Sequence, residues 1–150
     1  MVCPTQTPPR SGTRGATGCD FLAAKNQYIF VEYSGKLSAL AVPPAVAAYK
    51  VLGTGYTDPE DVKLSKDGVY AYIVERSGDL VKVALTNANR SAATLIASGL
   101  NTPRQLFLDE AHNTAYVVED SASGALVKID LTSGAKTVIH SRLPVASDLQ

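Results

Sequence analysis

The feature that most constrains the fold is a short motif that occurs three times along the chain. Each copy runs from a tyrosine through two or three β-forming apolar residues to a glutamate, and a glycine-containing turn and a leucine follow. The copies occupy residues 28–37, 72–80 and 116–126. Their glutamates, Glu32, Glu75 and Glu119, are separated by 43 and 44 residues. Such a constant period predicts a repeat architecture with one structural unit per period.

Each unit contains the pattern of four short strands, which is clearest in the second copy. Residues 61–65 alternate polar and apolar side chains, and residues 69–74 are rich in β-branched and aromatic side chains. Lys66-Asp67-Gly68 and Ser77-Gly78-Asp79 are turn sequences between them. No helical period is present. The prediction is an all-β fold of β-propeller blades, each with four antiparallel strands, and about three blades in the chain.

The chain divides into an arm and a partial propeller. Proline and glycine interrupt residues 1–19, which we expect to form a flexible N-terminal arm. Residues 20–150 hold the propeller, with blades at about 20–56, 57–100 and 101–143 and the first strand of a further blade at 144–150. Only a vestige of a first strand is legible at residues 20–22, so one blade is expected to be split between the two chain ends.

Three blades are too few to close a ring, because propellers have four to eight. An open arc would expose edge strands and an apolar blade face. We therefore expect the ring to be closed by a second chain, in a head-to-tail homodimer with six blades, or by a missing segment of a longer propeller.

The sequence resembles the NHL, YVTN and SMP-30-like group of propeller repeats. The pattern Pro-x-x-apolar-x-apolar-Asp, a turn, Tyr-Val/Ile-Val-Glu and Ser-Gly-x-Leu-Val-Lys carries the resemblance, most fully at residues 59–84 and 103–130. The resemblance implies the fold, but the group includes sugar lactonases, metal-dependent lyases and non-catalytic binding scaffolds.

Charge and hydropathy exclude two classes of partner. Lys and Arg number 14, as do Asp and Glu, and the basic residues are scattered, so we expect no nucleic-acid partner. Residues 39–42, the longest apolar run outside the strands, are far too few to span a bilayer, and we expect no membrane partner.

Both cysteines, Cys3 and Cys19, lie in the arm. A disulfide between them would suit an extracellular or exported protein, although two incidental thiols remain an alternative. The first residues lack the charged start and apolar stretch of a signal peptide. The chain is thus cytosolic, or it is the mature form or a fragment of an exported protein.

The repeated glutamates Glu32, Glu75 and Glu119 have a structural and a functional interpretation. In the functional one they form a ring of carboxylates for a metal ion or sugar hydroxyls. In the structural one each carboxylate accepts backbone N–H bonds from the following turn. We favour the structural interpretation, because one asymmetric site has no need of three equal copies.

Positions that differ between blades at the start of the inner strand are better binding candidates. Inner strands line the central channel of a propeller, so these side chains should converge at its mouth. The candidates are Asp58, Glu60, Asp61, Arg104, Gln105, Ser147 and Asp148. Glu60 is the residue that resembles the divalent-cation ligand of SMP-30-like enzymes, which makes Ca²⁺ a possible cofactor. Arg104 stands where that resemblance would require an oxygen ligand.

These observations favour a non-catalytic propeller module that presents loops to a protein or glycan partner. No nucleophile with an adjacent base and no phosphate-binding glycine loop is present in the sequence. The two alternatives are a metal-dependent lactonase or lyase of the SMP-30-like type and a structural subunit of a larger assembly.

Overall fold

The computed structural model describes residues 15–42, 49–121 and 124–142. Within these ranges twelve strands form three four-stranded antiparallel sheets, which confirms the fold class predicted from the repeats. Blade 1 consists of β1 (Ala16–Leu22), β2 (Gln27–Glu32), β3 (Lys36–Ala41) and β4 (Tyr49–Gly53). Blade 2 consists of β5 (Pro59–Leu64), β6 (Tyr70–Glu75), β7 (Leu80–Ala84) and β8 (Thr94–Ala97). Blade 3 consists of β9 (Pro103–Asp109), β10 (Thr114–Glu119), β11 (Ala125–Asp130) and β12 (Lys136–Ser141).

Each blade is a simple meander in which every strand pairs with the next one along the chain. Short 3-10 helices occupy some of the connections, at Ala23–Lys25, Leu85–Asn87, Arg90–Ala92 and Glu110–His112. Among the described residues, none of the helices has the length and apolar character that a membrane span requires. The turn after β6 needs Gly78, whose φ is +111° and whose added Cβ would lie 2.5 Å from the Leu100 carbonyl oxygen.

Blade 2 is buried on both faces because its central strands alternate between two apolar cores. Ala71 and Ile73 face blade 1 and pack in a core with Ile29, Val31 and Leu37. Tyr72 and Val74, the intervening residues of the same strand, face blade 3. In that second core they meet side chains of β9, β10 and β11, namely Leu106, Ala115, Val117, Ala125, Val127 and Ile129. A near-continuous apolar strand is what burial on both faces requires.

The first blade differs from the prediction at its opening strand. β1 begins at Ala16 and pairs with β2 as far as Leu22, so residues 16–19 belong to the blade rather than to the arm. Blade 1 therefore has all four strands within the described residues, and no split blade is needed to supply its first one. The apolar pattern missed this strand because Thr17 and Gly18 are small residues that lie against β5. The further strand predicted at 144–150 lies outside the described residues.

Candidate binding site at the channel end

A cavity of about 430 Å³ opens between the inner strands of the three blades. Its walls come from β1, β5 and β9 together with Tyr33, the residue that follows β2. The lining residues are Thr17, Gly18, Cys19, Tyr33, Glu60, Asp61, Lys63, Arg104, Gln105 and Phe107. The volume falls in the range of small-molecule sites, and the lining combines several polar groups with two aromatic rings.

Glu60 is the centre of a polar cluster to which all three blades contribute. The Tyr33 hydroxyl donates to Glu60 Oε1 at 3.5 Å, and Arg76 Nη1 lies 3.7 Å from the same oxygen. Arg104 Nε lies 4.0 Å from Glu60 Oε2 and 3.7 Å from Asp120 Oδ2. We call Tyr33, Glu60, Arg76, Arg104 and Asp120 the channel-end cluster.

The side chains of the channel-end cluster differ strongly in their access to solvent. Glu60 is 5% exposed, whereas the side chains of Arg104 and Arg76 are 31% and 45% exposed. Burial raises the pKa of Glu60, and Arg104, Arg76 and the Tyr33 hydroxyl oppose that shift. The buried carboxylate thus lies inside a partly exposed shell of hydrogen-bond donors.

Asp61 links blade 2 to blade 3 through a hydrogen bond. Its Oδ2 accepts a bond from the Leu106 backbone N–H at 2.9 Å, and its Oδ1 accepts one from the Val62 N–H, also at 2.9 Å. Lys63 Nζ completes the set at 3.2 Å from Oδ1. Burial raises the pKa of Asp61, while Lys63 and the two backbone donors lower it. Asp61 is therefore predominantly a structural residue, although its position was predicted correctly.

Blade 1 is linked to blade 2 by similar hydrogen bonds between their inner strands. Asp20 Oδ2 accepts a bond from the Leu64 backbone N–H at 2.8 Å, and the Thr17 hydroxyl donates to the Pro59 carbonyl at 2.6 Å. Gly18 allows the close approach of the two inner strands. A Cβ at Gly18 would lie 2.3 Å from Asp61 Oδ1 and 2.6 Å from Asp61 Cα.

The structure brings together four of the seven binding residues predicted from the sequence: Glu60, Asp61, Arg104 and Gln105 all line the cavity. Asp58 does not line it, because its backbone, with φ of 43°, turns into β5 and its carbonyl accepts a bond from the Arg76 N–H. Ser147 and Asp148 lie outside the described residues.

The seven binding residues predicted from the sequence do not include Tyr33, Arg76 and Asp120, which complete the channel-end cluster. Each of them directly follows one of the repeated glutamates, and each is a different residue type. A position that varies between otherwise similar repeats was the signal that selected Glu60 and Arg104. The same test applied after the glutamate would have found these three.

The repeated glutamates have structural partners, but not the predicted ones. Glu75 Oε1 accepts a bond from the Thr57 N–H at 2.9 Å, and Glu119 Oε1 accepts one from the Asn101 N–H at 2.8 Å. Both donors lie 18 residues before the glutamate, in the segment that enters the blade, and not in the turn that follows. The turn is closed instead by backbone bonds, such as that from the Gly78 N–H to the Glu75 carbonyl.

Glu75 and Glu32 also bind side chains. Arg90 Nε donates to Glu75 Oε2 at 3.0 Å. The hydroxyls of Ser38 and Tyr49 both donate to Glu32 Oε2 at 2.7 Å. These bonds hold the three carboxylates apart in their separate blades, so they do not form a ring of ligands.

The surroundings of Glu60 do not fit a divalent-cation site. Two guanidinium groups and a phenol surround this carboxylate, where a calcium site would need several further oxygen ligands. Among residues 15–42, 49–121 and 124–142, no group of three His, Cys, Asp or Glu side chains is placed to hold a metal ion.

Cys19 lies buried in β1 and belongs to a disulfide. Cys3 is outside the described residues, so the pairing of these two cysteines stays a prediction.

No protein-family model and no curated protein sequence matches the chain. Among solved structures, it is similar to an auxiliary nutrient binding protein from Bacteroides thetaiotaomicron, with a TM-score of 0.68 and 11% identity over 90% of this chain and 32% of that one. The tricorn protease matches with a TM-score of 0.62 and 18% identity, over 85% of this chain and 12% of that one. A putative 6-phosphogluconolactonase from Bacteroides uniformis matches with a TM-score of 0.58 and 11% identity, over 89% and 43%.

These likenesses establish the fold. The described residues of the chain form a β-propeller segment with three blades. The chain spans between 12% and 43% of the length of the solved structures it matches. At these low identities the comparisons carry no information on activity.

Proposed function

We propose that this propeller segment is a non-catalytic binding module, and that it presents the channel end to a protein or glycan partner. The observation that carries the proposal is the convergence of Tyr33, Glu60 and Arg104 from three different blades on one cavity. Tyrosine and arginine are the residue types that contribute most to binding at protein interfaces. Glu60 and Arg104 lie on strands β5 and β9, and Tyr33 directly follows β2, which lowers the entropic cost of ordering them on binding.

The pairing of charges within the site favours binding over catalysis. A general acid or base must reach its substrate, but Asp61 is occupied by two backbone N–H groups and Lys63. A metal-dependent lactonase or lyase, the main alternative, would have to bind its cation at Glu60 between two guanidinium groups. The third alternative, a purely structural subunit, would use Arg104 and Arg76 only to compensate the charge of Glu60 and assigns no function to their exposed surface.

We assign the blades to the NHL, YVTN and SMP-30-like group on the sequence pattern described above. The solved structures that resemble the chain include one described as a nutrient binding protein and one described as a putative lactonase. The descriptions of these two proteins include both binding and lactonase activity. The choice between the two functions for this chain therefore rests on the residues of its cavity.

We further propose that the ring is completed by more blades, supplied by a second copy of this chain or by a further segment of a longer propeller. Two copies with three blades each would give six blades, a number that propellers commonly adopt. In that arrangement the outer face of blade 3 in each copy packs on the outer face of blade 1 in the other.

The binding proposal is tested by comparing the native chain with Arg104→Gln on a glycan array and in pull-downs from candidate partners. We expect a ligand that binds the native chain and is lost in Arg104→Gln. Lys25→Gln is the matched control, because it removes one positive charge from an exposed position in the connection between β1 and β2. Binding that is equal in all three proteins, or absent from all, would contradict the proposal.

The metal-dependent alternative has its own measurement. A cation that binds the native state raises the melting temperature by mass action. We expect no change on addition of Ca²⁺. A rise that Glu60→Gln abolishes would support the lactonase or lyase instead.

A further inference from the structure

We infer that the cavity is a site for a carboxylate group, and that Arg104 is its principal donor. This inference rests on the proposed binding function and names the chemistry of the ligand. It follows from a comparison of the carboxylates of the site, which have positively charged partners, with the N–H groups of Arg104, which lie beyond hydrogen-bond distance of theirs.

The carboxylates of the cavity already have positively charged partners. Asp61 accepts two backbone N–H bonds and contacts Lys63 through both oxygens, at 3.2 and 3.3 Å. Glu60 accepts the Tyr33 hydroxyl at 3.5 Å, and Arg76 and Arg104 compensate its charge from 3.7 and 4.0 Å. A cationic ligand would therefore compete with cations that the chain itself supplies.

Arg104, in contrast, has donors to offer. Its Nε lies 4.0 Å from Glu60 and 3.7 Å from Asp120, and both distances exceed hydrogen-bond length. The two acidic partners therefore attract the guanidinium electrostatically but leave its N–H groups to bind a ligand. Arginine presents these groups in a planar fork that matches the two oxygens of a carboxylate.

Arg76 allows Arg104 to leave Glu60 and bind the carboxylate of a ligand. It lies 3.7 Å from Glu60 Oε1, while Arg104 approaches Oε2. When Arg104 turns toward an incoming carboxylate, Arg76 continues to compensate the charge of Glu60. The ligand thus does not leave a buried carboxylate without a cation, which would be strongly unfavourable.

Two aromatic rings, those of Phe107 and Tyr33, line the same cavity. They offer an apolar surface to the carbon atoms that bear the carboxylate.

A carboxylate of this kind has two common sources, a sugar acid and an acidic amino acid. We therefore propose titrations followed by NMR with two matched pairs of probes: glucuronate against glucose, and N-acetylglutamate against N-acetylglutamine. Within each pair the members differ mainly in the carboxylate. The inference predicts that at least one acid binds in the millimolar range, while its neutral counterpart binds at least tenfold more weakly.

Three variants assign the binding to Arg104. Arg104→Gln should weaken binding of the acid at least tenfold, because a charge-assisted bond is lost. Arg104→Lys should weaken it less, because the charge remains and only the fork is lost. Lys25→Gln, the control, should change the affinity less than twofold. Backbone NMR spectra verify that each variant keeps the native fold.

Three results would overturn the inference: no binding of either acid up to about 10 mM, equal binding of the acid and its neutral counterpart, or an effect of Lys25→Gln as large as that of Arg104→Gln. The binding function itself fails separately. If the array and the pull-downs yield a neutral ligand that depends on Arg104, the proposed function stands and the carboxylate inference falls. If they also yield nothing, both fall.

Discussion

The two interfaces between blades differ from the two outer faces of the segment in how their inner strands are bound. Asp20 on β1 and Asp61 on β5 each accept a backbone N–H from the next inner strand. The corresponding positions on β9 are Phe107 and Gln105. Strand pairing defines which positions correspond. Asp61 and Gln105 each pair with the residue just before the repeated glutamate of their own blade. Asp20 and Phe107 each pair with the residue three positions before that glutamate.

The difference indicates that neighbouring blades are joined by an aspartate where the contact lies within the described segment. The outer face of blade 3 presents other side chains at those positions and is also apolar. No described blade covers this face or the outer face of blade 1. The side chains on these two faces include Phe21, Tyr28, Phe30 and Leu40 of blade 1 and Phe107, Tyr116 and Leu126 of blade 3.

The largest effect is expected where an aspartate joins two blades. Asp61→Ala leaves two buried backbone N–H groups without an acceptor and Lys63 without its carboxylate. We expect a loss of about 3–4 kcal/mol in the free energy of unfolding, measured by urea denaturation. Gln105→Ala, at the corresponding position of blade 3, should cost less than about 1 kcal/mol. Equal losses in the two variants would remove the distinction between inner and outer faces.

The close approach of β1 to β5 gives the next effect. Gly18→Ala places a Cβ 2.3 Å from Asp61 Oδ1 and 2.6 Å from Asp61 Cα, so the two strands must separate. We expect a loss of about 2–3 kcal/mol in the free energy of unfolding. Ala24→Ser, at an exposed position of blade 1, is the control and should be neutral. Surface substitutions usually change the free energy of unfolding by less than about 0.5 kcal/mol. A change that small in Gly18→Ala would show that the inner strands are not tightly packed.

A smaller effect is expected at the connection between blades 1 and 2. The Tyr56 hydroxyl donates to the Ala88 carbonyl at 2.6 Å, and both residues are buried. Tyr56→Phe leaves that carbonyl unpaired and should cost about 1 kcal/mol in urea denaturation. Tyr70→Phe, whose ring is partly exposed at the start of β6, should leave stability unchanged. No loss in Tyr56→Phe would contradict the inferred bond.

The smallest effect concerns the pH dependence of stability. Burial raises the pKa of Glu60 and of Asp61 above their ordinary values of 4.5 and 3.8. The folded state therefore binds these protons more tightly than the unfolded chain, and the two groups lower stability as pH rises through their folded pKa values. We expect the melting temperature to increase as the pH falls toward 4.5, the ordinary pKa of Glu60, and Glu60→Gln to reduce that increase.

Below this range the sign reverses. Hydrogen bonds lower the pKa of Asp67 and Asp130, to which the Ser65 hydroxyl and the Ser133 and Thr132 backbone N–H groups donate, respectively. The stability they contribute is lost as pH falls below 3.8 through their folded pKa values. A melting temperature that declines steadily from pH 7 to 5 would show that Glu60 and Asp61 are not destabilised by burial.

The sequence was sufficient for the blades because two periods are superimposed in it. The 44-residue repeat locates the blades, and alternation within each strand predicts burial, as at Val62 and Val74. The sequence was not sufficient to predict β1. Thr17 and Gly18 in this strand are small residues that allow close approach to β5, and they do not continue the apolar alternation. No local pattern distinguishes such a strand from an arm.

The candidate site was predictable only in part for a related reason. Glu60 and Arg104 differ in type between repeats, and that difference marked them as candidates. The role of Asp61 was not predictable, because its partner, the Leu106 N–H, lies 45 residues away in the next blade. The glutamate partners Thr57 and Asn101 were missed likewise, since the bonds reach back 18 residues.

The central claim is that the segment needs further blades on its outer faces, and solution mass tests it most directly. Light scattering of the isolated chain should give twice the chain mass of 15.8 kDa. Leu126→Arg, on the outer face of blade 3, should shift it to the monomer. Leu95→Arg, at a 53% exposed position on the edge of blade 2, should remain a dimer. A native chain that is monomeric and unfolds cooperatively would contradict the claim that a second copy closes the ring.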